Sequence, residues 1–281
     1  MEFGSIKIKK EGDNMEYSDT ITHKRGLFER LMSRSGVSGV VAANQMIAVW
    51  GTQGGVGASS LTAILAKLLH QWGFTVLVIE ATPTGGSFLR LFAKKPVSEG
   101  LDTISRSYER LNTELESIRV NIIKGLSVLP KSGAPHNSQW IWQKEEVHEI
   151  LRIAKKMASF VLVDTGHLSN DALARGALAE ADHIVSVFRS TTIGLDSATR
   201  FYEHCKYANL NDKLVWVANQ VHHTKNASLL GAIIGQKAEY SIPWNKGMEN
   251  IDQGSAVPRN ILIVAEKLLH NLISAPSSRI F

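Results

Sequence analysis

The chain has 281 residues, 44% of them hydrophobic and 20% charged, which is enough for one sizeable domain with a buried core. A single cysteine, Cys205, excludes an internal disulfide framework, and we find no apolar run of about 18 residues that would span a membrane. The formal net charge of +5 permits an acidic partner, but the basic residues are spread along the chain, so specific nucleic-acid binding is not expected. These features favour a cytoplasmic protein, with a peripheral position at the inner face of the membrane as the alternative.

Residues 1–42 are polar and are predicted to form a flexible N-terminal tail, because they hold no apolar period long enough to start a core. The first five residues, Met1 to Ser5, have the character of a cloning scar. The segment 24–34 is amphipathic, since at 100° per residue its apolar side chains fall within an arc of about 140°. This apolar face is a candidate for contact with an anionic membrane surface, and packing on the domain or on a partner is the alternative. Its members are Leu27, Phe28, Leu31 and Met32.

Residues 43–281 are predicted to form one domain, in which short apolar or β-branched runs alternate with helical patterns. The predicted strands cover 46–51, 75–80, 126–129, 160–164, 183–188, 214–218 and 239–242. The predicted helices cover 59–72, about 100–118, 143–158, 169–180, 192–208, 226–235 and 259–274. This alternation predicts an α/β fold, doubly wound, with a mostly parallel sheet and helices on both faces.

The stretch between the first strand and the first helix, residues 51–60, reads G-T-Q-G-G-V-G-A-S-S. A phosphate-binding loop reads G-x-x-x-x-G-K-[ST] in the same context, because backbone N–H groups surround the phosphates while the lysine adds positive charge. Ser59 stands at the position of the Mg²⁺ ligand, but Ala58 replaces the lysine. The pattern therefore favours a phosphate loop that has kept its backbone cradle and lost its cation, with a tight strand-to-helix turn as the alternative.

Other polar residues end predicted strands at the same edge of the sheet. Asp164 ends the strand 160–164, Asn219 follows the strand 214–218, and Glu80 ends the strand 75–80. A doubly wound sheet binds its ligands beyond the carboxyl ends of its strands, so these residues are expected near the loop. Asp164 is then a candidate for holding Mg²⁺ together with Ser59, and its alternative is a helix N-cap. Asn219 could also simply terminate its strand.

The loop resembles the deviant Walker A motif of the MinD/ParA ATPase family, K-G-G-V-G-K-T, aligned on Gln53 to Ser59. Its G-G-V-G-A-S form is most similar to the CpaE/TadZ branch, whose members help to place Tad-type pilus and secretion machinery at a cell pole. The resemblance extends less strongly over residues 45–272, where Glu80 and Thr82 replace both aspartates of the family's switch motif D-x-D-P. The segment 24–34 also looks like the membrane-targeting helix of MinD, placed at the opposite end of the chain.

The resemblance implies a site for ATP or ADP with Mg²⁺, bound weakly. The cofactor-binding residues it implies are Gln53, Gly54, Gly55, Val56, Gly57, Ala58, Ser59, Ser60 and Asn219, and the metal ligands are Ser59 and Asp164. Asn219 resembles the strand-ending asparagine of the family that contacts adenine. No catalytic residue is assigned, because in the family the first lysine reaches the partner's nucleotide and the second contacts phosphate in its own subunit. Gln53 and Ala58 carry neither charge. The implied partners are a second copy of the chain and assembly proteins of a pilus or secretion system.

The function implied is that of a degenerate positioning or assembly factor for a cell-envelope machine, a pseudo-ATPase with weak or absent ATP hydrolysis. Two alternatives stay open. One is an active ParA-like ATPase that partitions DNA, which needs a basic surface for non-specific binding. The other is a dinucleotide-dependent enzyme, because Gly55-x-Gly57 lies close to the G-x-G-x-x-G fingerprint and Glu80 ends the second strand as a ribose-binding acid does.

Overall fold

The computed structural model describes residues 44–82, 85–105, 107, 109–133, 142–167, 171–222, 235, 238–248, 251 and 256–274. The predicted tail 1–42, with its amphipathic segment, lies outside the described residues. The predicted helix 226–235 also lies outside them, except for its last residue.

In the described part of the chain, one sheet has eight strands, in the order β3-β4-β2-β5-β1-β6-β7-β8. Every neighbouring pair is parallel except β3 and β4, which are antiparallel. The mostly parallel sheet predicted from the sequence is therefore confirmed. The strands are β1 (Gln45–Gly51), β2 (Val76–Glu80), β3 (Val120–Ile123), β4 (Leu126–Leu129), β5 (Phe160–Gly166), β6 (His183–Arg189), β7 (Leu214–Val221) and β8 (Tyr240–Pro243).

The helices cover both faces of this sheet, as predicted. Side chains alternate along a strand, so the central strand β1 feeds two cores: Met46, Ala48 and Trp50 join one cluster, while Ile47 and Val49 join the other. The first cluster includes α2 (Leu111–Ile118), α3 (Lys144–Met157), α4 (Ala172–Glu180) and α5 (Thr192–Tyr207). The second includes α1 (Ala58–Gln71), α6 (Arg259–Ser274) and a 3₁₀ helix, Phe88–Phe92.

Two sequence predictions are corrected by the structure. The helix expected over about 100–118 begins only at Leu111, because the residues before it turn against the end of β4, where Leu101 N–H donates to Pro130 O at 2.8 Å. The edge strand β3 was not predicted. It forms a hairpin with β4 through Gly125, whose φ of +89° permits the tight turn.

The parallel strands place their carboxyl ends at one edge of the sheet. Gly51 of β1, Asp164 of β5, Arg189 of β6 and Asn219 of β7 all lie there, and register pairs Arg189 with Asn219. None of the described helices has both the length and the apolar character needed to cross a bilayer.

Candidate functional site

The glycine-rich loop leaves β1 at Gly51 and enters α1 at Ala58. Its first residue, Thr52, is tied to the neighbouring strand because its N–H donates to Val187 O at 2.9 Å. Gly57 caps α1 in the left-handed region, with φ at +88°, and a Cβ there would lie 2.4 Å from Asn219 Nδ2. Both the backbone angle and the close approach therefore require glycine at this position.

Side chains from β6 and β7 hold two carbonyl groups of the loop. Arg189 Nη2 donates to Gly55 O at 2.9 Å, and Gln220 Nε2 reaches the same oxygen at 3.3 Å. Asn219 Nδ2 donates to Val56 O at 2.6 Å. The C=O and N–H of a trans peptide point in opposite directions, so these bonds turn the N–H groups of Val56 and Gly57 away from β6 and β7.

These N–H groups find no acceptor among the described residues. The same is true of the first N–H groups of α1, which a helix cannot satisfy internally. Successive free N–H groups at a helix N-terminus form a concave site for an anion, and phosphate is the anion most often bound there. The loop therefore has the backbone geometry of a phosphate cradle.

Asp164 lies beneath this cradle at the end of β5 and is 1% exposed. Its Oδ2 has no hydrogen-bond partner, while Gly166 N–H approaches Oδ1 at 3.4 Å. Burial raises the pKa of this carboxyl from 3.8 to about 7; the Ser59 side chain and Gly166 N–H oppose the shift, and the charge of Glu80 adds to it. The structure thus brings together the two predicted metal ligands, Ser59 and Asp164.

A buried carboxylate with one unpartnered oxygen, beside a hydroxyl, fits Mg²⁺, which prefers oxygen ligands and keeps several waters. Within the described ranges, no group of three or more His, Cys, Asp or Glu side chains could hold a metal ion unaided. The two protein ligands would therefore need phosphate oxygens and water to complete the coordination of Mg²⁺.

Glu80 differs from Asp164 although it ends the adjacent strand. Its Oε1 accepts from Ser87 N–H at 3.1 Å and from Phe88 N–H at 3.0 Å, and its Oε2 accepts from Lys131 N–H at 3.0 Å. The side chain is buried and fastens the 3₁₀ helix and the end of β4 to the sheet. Both oxygens are thus already used, which removes the support that Glu80 gave to the dinucleotide interpretation.

A cavity of about 250 Å³ opens beside the cradle. Its walls combine apolar side chains with the amides of Asn219 and Gln220, a mixture typical of pockets that bind small organic molecules. Trp244, which is 45% exposed, stacks on His222 with ring centroids 5.4 Å apart. The cavity is lined by Gly57, Ser60, Leu61, Ile64, Asn219, Gln220, Ile242, Pro243, Trp244, Asn245, Met248 and Ile261.

Asn219 lines this cavity, but its side-chain amide is already engaged. Nδ2 binds the loop at Val56 O, and Oδ1 accepts from Gln220 N–H at 2.8 Å. The contact with adenine stays a prediction. The structure shows a different role for Asn219, since its side chain connects β7 to the loop through a hydrogen bond.

The two positions that lack lysine are neutral and largely enclosed. Ala58 is 7% exposed, and Oε1 of Gln53 is buried without a hydrogen-bond partner. Sequence reasoning missed Arg189 and Gln220, the residues that hold Gly55 O. Arg189 carried a detectable signal, because it directly follows the predicted apolar strand 183–188 at the ligand-binding edge; Gln220 carried none beyond its position after Asn219.

The sheet order, the glycine-rich loop after the central strand and the acid-ended strand beside it define a P-loop nucleotide-binding fold of the ParA/MinD type. A family model described as "Cellulose biosynthesis protein BcsQ" matches residues 44–195, more than half of the chain. The chain belongs to this family. The CpaE/TadZ branch, expected from the loop sequence, stays a prediction. No curated protein matches the sequence.

Solved structures support the fold. A ParA family ATPase from Chlorobium tepidum is 20% identical with a TM-score of 0.71, over 81% of this chain and 100% of that one. MinD from Pyrococcus horikoshii, complexed with Mg-ADP, is 17% identical with a TM-score of 0.62, over 82% and 98%. A putative plasmid partition protein from Borrelia burgdorferi, bound to AMPPNP, is 17% identical with a TM-score of 0.62, over 80% and 97%.

Proposed function

We propose that the protein is a nucleotide-binding assembly or positioning factor of a cell-envelope machine, and that it hydrolyses ATP very slowly or not at all. One observation carries the proposal: the site keeps its phosphate cradle, its buried acid and its cavity, while Gln53 and Ala58 replace both cations of the loop. The site keeps the groups that would bind a nucleotide and lacks the charged groups that would accelerate its hydrolysis.

The physical reason lies in the chemistry of phosphoryl transfer. An enzyme accelerates this reaction mainly by positioning the phosphates and stabilising their charge, and one cation can contribute about a thousandfold. Neutral residues stand at the two lysine positions, and Thr82 replaces an aspartate of the switch motif. The loop N–H groups can still hold phosphates without these charges, so the protein retains nucleotide binding although it has lost most of its catalytic rate.

Each part of a Mg²⁺ nucleotide has a matching group in the site. The N–H groups of the loop would bind the phosphates, the cavity would accept the base, and Ser59 with Asp164 would hold Mg²⁺. The metal would supply positive charge to the phosphates. The relatives bound to Mg-ADP and AMPPNP share this fold and so support a nucleotide as the ligand here.

The family description supports cellulose biosynthesis as the process that the protein serves. Assembly proteins of a pilus or secretion system are the second candidate, favoured by the G-G-V-G-A-S sequence of the loop. We also propose a homodimer formed through the loop face, in which Gln53 makes a neutral contact, so that dimerisation depends little on ATP. Within that dimer, two copies of the segment 24–34 would bind an anionic membrane more tightly than one.

The ParA-like DNA-partitioning ATPase remains the alternative, because a ParA family ATPase and a plasmid partition protein share the fold. A likeness at this level of identity supports the fold alone. Binding to random duplex DNA that falls steeply with added salt would favour this alternative.

The experiment is a calorimetric titration of ATP and ADP with Mg²⁺, combined with an assay of phosphate release on the same sample. We expect weak binding of both nucleotides and no sustained release. Turnover at ordinary ATPase rates that Asp164→Ala abolishes would overturn the proposal. The control is the Asp196→Ala variant, which changes an exposed acid on α5 and should bind as the wild type does.

A further inference from the structure

We propose that Arg189 supplies the phosphate-binding cation that the loop itself lacks. The proposal rests on the nucleotide-binding function proposed above and adds a residue outside the loop motif. It assigns to the end of β6 the charge that a lysine provides from the start of α1 in an ordinary phosphate loop.

Arg189 is placed for this task by the order of the strands. β6 lies directly beside β1, and register pairs Gly51 with Val187, so Arg189 stands two residues beyond the point where the loop begins. Its guanidinium reaches the apex of the loop, where Nη2 donates to Gly55 O at 2.9 Å. A Cβ at Gly55 would lie 3.8 Å from the same nitrogen, so the loop and the guanidinium are in contact.

The guanidinium is left without a counterion. No carboxylate of the described residues forms an ion pair with Arg189, and its Nε is buried without a hydrogen-bond partner. A partly buried cation that uses one donor on a neutral carbonyl is costly unless an anion completes its surroundings. The N–H groups of Val56 and Gly57 also lack acceptors among the described residues, so the charge of Arg189 adjoins a second set of donors that an anion would complete.

Arginine suits a phosphate better than it suits the carbonyl that it contacts. Its planar fork presents five donors and matches two phosphate oxygens at once. One donor can keep its bond to Gly55 O while others turn to the ligand. Arg189 would then do two things: hold the peptide whose N–H faces the cradle, and add charge to the phosphates.

The acidic and titratable groups around the site agree with this assignment. Asp164 faces the cradle from β5, and His167 lies against Gly54, where a Cβ would be 3.5 Å from Nε2. Glu80, from β2, spends both oxygens on backbone N–H groups. Mg²⁺ is the natural partner of Asp164, which leaves Arg189 for the phosphates that the metal does not touch.

The test compares Arg189→Gln and Arg189→Lys with the wild type by calorimetry, using Mg-ATP, Mg-pyrophosphate and adenosine. Gln keeps a donor for Gly55 O without the charge, and Lys keeps the charge without the fork. We expect Arg189→Gln to weaken ATP and pyrophosphate binding by about ten- to a hundredfold, with adenosine unchanged, and Arg189→Lys to fall between the two. Wild-type affinity should also fall more steeply with added salt than that of Arg189→Gln.

Two controls separate a charge effect from a folding effect. Arg200→Gln removes an exposed arginine on α5 and should leave binding unchanged. Adding Ala58→Lys to Arg189→Gln should restore affinity, because the charge returns from the ordinary position. A melting curve of each variant without ligand shows that it is folded.

The outcomes are distinguishable. If the wild type binds ATP, and Arg189→Gln binds it with the same affinity and salt dependence, the assignment of Arg189 is wrong and the proposed function stands. If Arg189→Gln weakens adenosine as much as ATP, the residue only shapes the loop, and the assignment is again wrong. If the wild type binds neither ATP nor pyrophosphate, the nucleotide function and the role of Arg189 both fail.

Discussion

Two acids that stand side by side in the sheet have opposite surroundings. Glu80 of β2 and Asp164 of β5 are partners in register, and each is 1% exposed. Glu80 accepts three backbone N–H groups, whereas Asp164 keeps one oxygen without a partner. Burial alone therefore does not distinguish the two acids; the oxygen without a partner does, and it is the reason that Asp164 is the proposed metal ligand.

The same contrast extends to the strands on either side. Next to Glu80, Lys131 forms a buried ion pair with Asp171, with Nζ 2.8 Å from Oδ2. On the other side, Arg189 has no carboxylate partner and the N–H groups of Val56 and Gly57 have no acceptor among the described residues. The polar groups on the β2–β4 side of the edge are satisfied by the protein itself, while those on the β1–β6–β7 side are left for the proposed nucleotide.

The largest effect is expected when the completed side is broken. Glu80→Ala leaves three N–H groups without their acceptor, two of them in buried hydrogen bonds, so the free energy of unfolding should fall by about 3–5 kcal/mol. Urea denaturation measures it, with Glu203→Ala, an exposed acid on α5, as the matched control. A loss below about 1 kcal/mol would show that Glu80 does not fasten the sheet as described.

Asp164→Asn should change the free energy of unfolding in the opposite direction, because it should stabilise the protein at neutral and higher pH. The pKa of Asp164 is raised from 3.8 to about 7, so the folded protein holds its proton more tightly than the unfolded chain does. Wild-type stability from this group is full below the unfolded pKa and is lost as pH rises through the folded pKa. At pH 8, the free energy of unfolding of Asp164→Asn should therefore exceed that of the wild type by about 3 kcal/mol. This figure takes ~1.4 kcal/mol for each unit by which the pKa is raised and subtracts the cost of burying a neutral amide.

Thermal denaturation at pH 4 and pH 8, without nucleotide, checks this prediction. The gain should nearly vanish at pH 4, because the carboxyl is protonated in the folded wild type and only about half ionised in the unfolded chain, so little free energy is lost. An equal gain at both pH values would show that ionisation is not its cause. With Mg²⁺ and ATP present the advantage of the variant should shrink, because only the wild type keeps the proposed metal ligand.

The sequence was sufficient for the parts of the fold that depend on local pattern. Strands such as 160–164 and helices such as 259–274 follow directly from the hydrophobic pattern, and the glycine-rich loop follows from its phosphate-loop spacing between a strand and a helix. The strand β3 was missed because its four residues at the sheet edge alternate between half-buried and exposed, so they make no continuous apolar run. The helix over 100–118 was predicted too long because contacts with Pro130 override local preference.

The residues of the candidate site could be predicted where they belong to a known sequence motif. They could not be predicted where their role depends on contacts between distant parts of the chain. Ser59 and Asp164 could be named as a pair because each has a fixed place in a phosphate-loop fold. The sequence could not show that both carboxylate oxygens of Glu80 accept hydrogen bonds from backbone N–H groups. These donors, in Ser87, Phe88 and Lys131, come close to Glu80 only in the folded protein. Arg189 was missed for the same reason, because its contact with Gly55 joins residues 134 positions apart.

Ala58→Lys tests whether the open side lacks only charge. A charge-assisted hydrogen bond contributes about 1.5–3 kcal/mol, so the variant should bind Mg-ATP ten- to a hundredfold more tightly. Ala58→Met, of similar length but neutral, is the control, and calorimetry measures both. No change in Ala58→Lys would indicate that the loop is closed to phosphate.

The smallest expected effect concerns the second donor on Gly55 O. Gln220 Nε2 lies at 3.3 Å from this oxygen, a longer contact than the 2.9 Å from Arg189, and the bond is exposed to water. Gln220→Ala should therefore weaken pyrophosphate binding only about two- to threefold, near the lower limit of ~0.5 kcal/mol for a neutral hydrogen bond. Combined with Arg189→Gln, its effect should grow, because a shared acceptor that has lost its better donor depends on the remaining one. The four proteins of this double-mutant cycle are compared by pyrophosphate titration at one salt concentration. Strict additivity would mean that the two side chains do not act through the same carbonyl, and the orientation of the Gly55–Val56 peptide would then need another cause.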